Sequence, residues 1–152
     1  MTLTTMVAVV TAVVVTVLVF WASSTANRLH RLHVRTEAAL NALQAALDRR
    51  CAVLAALYPQ HWLLAHEAES VSLDYQSLEL RAEKERAVAS AIAQLGQELP
   101  PAIVDAEARV QLAHRFYNDA VTDTRHLRVQ PVVRVLRLGG TARLPEYFTL
   151  AV

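Results

Sequence analysis

Hydrophobic and polar positions fall into four regimes along the chain. From Leu3 to Ala22 there is a 20-residue run, "LTTMVAVVTAVVVTVLVFWA", with no charged side chain and no helical face left polar. A stripe at helical spacing follows: Leu29, Leu32, Ala39, Leu40, Leu43, Leu47, Cys51, Leu54 and Leu57, with Arg31, Arg35, Asn41, Gln44 and Asp48 off it. Pro59 should stop that helix at Tyr58. A second, heptad-like and acidic segment reads as helix from Gln60 to Leu99. After the break at "LPP" a third helix opens on Pro101, where a missing N–H costs nothing. Its stripe is Ile103, Ala106, Val110, Ala113, Tyr117, Ala120, Thr124 and Leu127, and Pro131 closes it.

The expected fold class is therefore all-α: an N-terminal transmembrane helix, an antiparallel bundle of three long helices, and a short C-terminal tail. Up-down-up packing of such helices carries the C-terminus away from the membrane. Domain bounds follow the same regimes: 1–26 an anchor with an extracytoplasmic N-terminus, 27–130 a cytoplasmic bundle, and 131–152 an amphipathic piece and tail. Within that last piece, "VVRVLRL" (132–138) fits a strand or a helix equally.

At about 1.5 Å per residue, 20 residues match the ~30 Å hydrocarbon core of a bilayer. Phe20 and Trp21 stand at its downstream edge, where Trp favours the headgroup zone. A cleaved signal peptide is the rival reading. It wants a basic leader, and no Lys or Arg precedes Arg28, although "SSTAN" offers small residues for a peptidase. Arg28, Arg31 and Arg35 lie just past the run, which by the positive-inside rule puts the N-terminus outside and the bulk of the chain in the cytoplasm. Arg28, His30, Arg31, His33 and Arg35 form a basic collar suited to anionic headgroups.

Charge is uneven but small in sum. Residues 28–58 carry five basic and two acidic side chains, and residues 59–99 carry three and seven, so the first two helices should attract. Glu79, Glu83 and Glu85 read mainly as a solvated face, and Arg49-Arg50 as another, unless it meets carboxylates of the second helix. A net charge of +1 gives no general pull toward nucleic acid. The single Cys51 can form no intramolecular disulfide.

Several stretches carry a resemblance. "NRLHRLHVRTEAALNALQAALDRRCAVLAAL" directly after the anchor, then "EARVQLAHRFYNDAV", then a closing "LPEYF", resemble in that order the LemA family of bacterial membrane-anchored helical proteins. The matching positions are Asn27, Arg28, Leu29, Leu47, Arg49, Arg50, Arg115, Phe116, Tyr117, Asn118, Val121, Tyr147 and Phe148. Departures are "CAVLAAL" where the family has a proline and an asparagine, a shorter second-to-third helix region, Thr124-Arg125 in place of Tyr-Asn, and "RLGGTAR" in place of a phenylalanine-rich turn. The resemblance implies an antiparallel bundle behind one anchor in the bacterial inner membrane, a scaffold or accessory role, and no assigned enzymatic activity.

Candidate sites follow. Phe116, Tyr117 and Asn118 make either a packing layer or a groove for a partner; a buried Tyr hydroxyl and Asn amide both need hydrogen-bond partners. Val133, Val135, Leu138, Tyr147 and Phe148 make a tail that caps the bundle or docks a partner. A bundle-core metal site wants Glu-x-x-His motifs, and none occurs, so neither a metal nor another cofactor is expected. No phosphate loop or nucleophile motif is present, and the reading is non-catalytic. The partners expected are the lipid bilayer, an unknown protein and a second copy of the chain. The alternative is a helical-bundle sensor for a small ligand or metal, centred on Asp123, His126 and the Phe-Tyr-Asn layer.

Overall fold

A computed structural model describes residues 2–129, Val133 and residues 143–150. Among these the chain is all-helical: four α-helices, one 3-10 turn and no strand. Helix α1 runs from Leu3 to Leu57 without interruption, 55 residues or ~80 Å. No Gly or Pro occurs before Pro59, so nothing in the sequence breaks the backbone ladder. Its first part is exposed throughout, and buried positions begin at Leu29. The hydroxyls of that first part turn inward: Thr11, Thr16, Ser23 and Thr25 donate to the carbonyls four residues back, at 2.8–3.0 Å. Such bonds satisfy a hydroxyl from within the helix itself. By length and composition this is the one candidate membrane-spanning helix among the described residues.

The second long helix expected from Gln60 to Leu99 does not form as one piece. A 3-10 turn at Pro59–His61 leads into α2 (Trp62–Glu69), and α3 spans Leu78–Ala93. Between them, Asp74 Oδ1 accepts the backbone N–H groups of Gln76 at 2.7 Å and Ser77 at 2.9 Å, and Ser77 Oγ donates to the Ser72 carbonyl. These local bonds give the backbone an alternative to helix. They also hold the Asp74 carboxyl below its ordinary range, chiefly through the Gln76 N–H. Leu73 turns back into the core, with its N–H on the Gln44 side chain.

The break changes the topology. Residues 48 and 50 of α1 meet 81 and 85 of α3, which places the two helices parallel. Helix α4 (Pro101–Val129) is antiparallel to α1, with Arg50 opposite Glu107 and Arg35 opposite Asp123. Its C-terminal end therefore lies beside the start of the bundle, where Leu127 and Val133 pack on Leu29. The expectation that up-down-up packing carries the third helix's end away from the apolar segment is thus corrected: one extra reversal at 70–77 inverts the direction of α4, and residues 146–148 then lie back at the level of Leu43 and Leu47. Gly96, at φ +100°, makes the turn between α3 and α4 in a conformation that side chains avoid.

Candidate functional site

The adjacent aromatics of "RFYN" have opposite fates. Tyr117 is fully buried, among Leu40, Val110, Val121 and Phe148, whereas Phe116 is 55% exposed. Three consecutive contacts on one face of α4 hold the tail. The Tyr117 hydroxyl donates to the Glu146 carbonyl at 2.6 Å. Asn118 brackets the backbone of one residue, accepting the Phe148 N–H at 3.1 Å and donating to the Phe148 carbonyl at 3.2 Å. His114 Nε2 donates to that same carbonyl at 2.7 Å. Phe148 itself is buried in the core, while Tyr147 stays half-exposed under the Arg125 guanidinium, 5.2 Å from its ring centroid. Burial pushes the Tyr117 hydroxyl well above its ordinary range and keeps it a donor.

The packing-layer and tail readings thus meet in one place. Tyr117 and Asn118 form the seat of "EYF", Phe116 is corrected to an exposed position outside that layer, and Phe148 points inward instead of presenting itself to a partner. Val133 is buried as well. Val135 and Leu138 lie outside the described residues.

On the far side of α4, Phe116 and Leu112 stand over an open groove of about 350 Å³ whose floor is alanine: Ala39, Ala42 and Ala46 of α1. Arg49 and Arg109 edge it, and Arg109 is held by Asp105 at 2.8 Å.

A charged layer crosses the bundle one turn beyond Leu47. Arg50 donates to Glu85 at 2.5 Å and to Glu107 at 2.7 Å; Arg81 donates to Glu85 at 2.8 Å and to Asp48 at 2.7 Å. Arg81 also reaches the Val71 carbonyl, tying down the 70–77 loop. Arg50, Arg81 and Glu85 are essentially without exposed surface. Burial alone would lower both guanidiniums, but the carboxylates outweigh it and both are raised, Arg50 by Glu85 and Glu107, Arg81 by Asp48 and Glu85. Arg50 Nε is buried with no partner, because the two terminal nitrogens take both carboxylates. The expectation that Glu85 belongs to a solvated face is corrected here, while Arg50 does meet a carboxylate of the second segment. The signal available in the sequence was the Arg81/Glu85 spacing of four beside Asp48 and Arg50. Cys51, next in line, has its thiol pushed up to about 12, first by burial and then by Glu85.

Arg28, His30, Arg31 and Arg35 of the basic collar are exposed and His33 is half-buried; Arg35 bonds Asp123 of α4 at 2.9 Å, and His33 pairs with Glu37 along α1 at 3.1 Å. Asp123 and His126 do line one cavity, but the Asp123 carboxylate is engaged by Arg35. Among the described residues, no group of three or more His, Cys, Asp or Glu could hold a metal ion.

No protein-family model, curated protein or solved structure matches the chain.

Proposed function

We propose that the chain is a non-catalytic, membrane-anchored helical scaffold of LemA type, which holds partner proteins at the bacterial inner membrane with its N-terminus outside and its bundle in the cytoplasm. The observation that carries this reading is the unbroken α1. One helix supplies both an exposed apolar segment of membrane length and the central stave of a packed bundle. Such a helix sets the bundle at a fixed height and rotation above the bilayer.

Two apolar features on the bundle surface suit protein partners: the Leu112/Phe116 groove, and the cluster of exposed Leu57, Trp62 and Leu63 at the distal turn. The groove, flanked by helices on both sides, suits a further helix, from a partner or from a second copy.

A photo-reactive residue at Phe116, with in-cell crosslinking and mass spectrometry, tests the docking face. A defined protein adduct is the expected result, and lipid-only or intramolecular links would refute it. A periplasm-active reporter fused after Val152 should stay dark; an active reporter would overturn the orientation.

A further inference from the structure

The last turn of α4 comes back to the level at which α1 leaves its apolar segment. Between the two helices lies a cavity of about 330 Å³ lined by Arg28, Leu32 and Arg35 of α1 and by Asp123, His126 and Leu127 of α4. Leu32 and Leu127 give it an apolar floor. Asp123 is taken up by Arg35, and among the described residues neither Arg28 nor His126 has an ion-pair partner. On its other side His126 borders a second cavity, of about 350 Å³, with Arg125, Tyr147 and the exposed Val129. Arg28 is six residues beyond Ala22, ~9 Å along the helix, which is the depth of a headgroup layer ~5–8 Å thick once the reach of an arginine is allowed for.

We infer that this cavity binds the phosphate of an anionic phospholipid, with Arg28 and His126 as its ligands, one from each helix. The inference rests on the reading that Leu3–Ala22 crosses the membrane. Two features favour a lipid phosphodiester over free phosphate. The Asp123 carboxylate in the wall repels a dianion more than a monoanion. The leucine floor and Val129 offer apolar surface to a glycerol and acyl chain and nothing to an inorganic ion. The site differs from a basic collar on α1 alone because half of it comes from a helix that reaches the membrane only after the whole bundle has folded.

The test uses the full chain, purified in detergent and loaded with phosphatidylcholine or phosphatidylglycerol, with retained lipid read by native mass spectrometry. Selective retention of phosphatidylglycerol is expected. His126→Gln leaves the α1 collar intact and should cut that retention about fivefold, as should Arg28→Gln. Asp123→Asn removes the wall's carboxylate, frees Arg35, and should raise retention. Unchanged retention in His126→Gln or Asp123→Asn would overturn the shared site, leaving contact through α1 only. Displacement of phosphatidylglycerol by millimolar inorganic phosphate would overturn the lipid assignment in favour of a free-anion site. If nothing is retained while the chain resists alkaline extraction from membranes, the inference fails and the anchor reading stands; if alkali extracts the chain, both fall.

Discussion

Two layers of side chains, little more than one turn apart on α1, fasten the bundle by opposite means. At Leu43 and Leu47 the tail plugs the core with Phe148, and its backbone is held by neutral donors and acceptors from α4. At Asp48 and Arg50 the same helix meets α3 and α4 through arginines and carboxylates taken out of water. An apolar plug is forgiving of register but sensitive to volume. A buried charge layer contributes little net stability yet is intolerant of losing a member, because the survivor is stranded. The first closes the structure; the second dictates which residue of α3 stands opposite which residue of α1.

The sharpest way to break the comparison is Glu85→Ala, which leaves two buried guanidiniums facing each other. A loss of about 3–5 kcal/mol in denaturant unfolding is expected. Replacing Arg50, Arg81 and Glu85 together by apolar residues of like volume should cost far less or nothing; an equal loss would show that the layer does stabilise. Phe148→Ala should cost about 3–4 kcal/mol through the cavity it leaves, with the tail becoming sensitive to protease. Cys51 sharpens the contrast by pH. Its thiol keeps its proton in the folded state up to about 12, whereas the unfolded thiol ionises near 9. Its contribution is thus fully present below about pH 9 and is lost on rising toward 12, at about 1.4 kcal/mol per pH unit, relative to Cys51→Ala. Asn118→Ala should cost about 1–3 kcal/mol, since the Phe148 backbone N–H and carbonyl both lose their bond to the amide. Phe116→Ala should change stability by less than about 0.5 kcal/mol while weakening the proposed partner crosslinks formed from a photo-reactive residue at Leu112 of the same groove.

The α1 stripe, the stop at Pro59 and the start of α4 at Pro101 are readable in the sequence because each depends on neighbours within a turn or two. Tyr117 is readable as buried, but its partner is not: Glu146 is 29 residues away, and no periodicity links them. Asp74 and the serines around it do carry a turn signal, yet a heptad-like reading runs straight across it. The consequence of that turn is not local. Missing one reversal puts the end of α4 at the wrong end of the bundle, and with it Asp123 and His126. The ionic layer is hidden for a different reason. A charge on a helix looks the same in sequence whether it faces water or a matching charge, and only the packing of α3 on α1 distinguishes them.

The absence of any joint in α1 makes the protein a shaft with a tool fixed to its end. Each residue of an α-helix is worth about 100° of turn and 1.5 Å of rise. One residue added between Ala22 and Leu29 would therefore swing the groove at Phe116 more than a quarter-circle around the shaft. A tilt of about 20° at the bilayer, well within the ordinary range for a spanning helix, would sweep the turn at Pro59 sideways by ~18 Å. With Leu3–Ala22 in a bilayer as proposed, bilayer thickness and helix phase would become settings of where the bundle points, and access to its groove would change with no rearrangement inside the bundle at all.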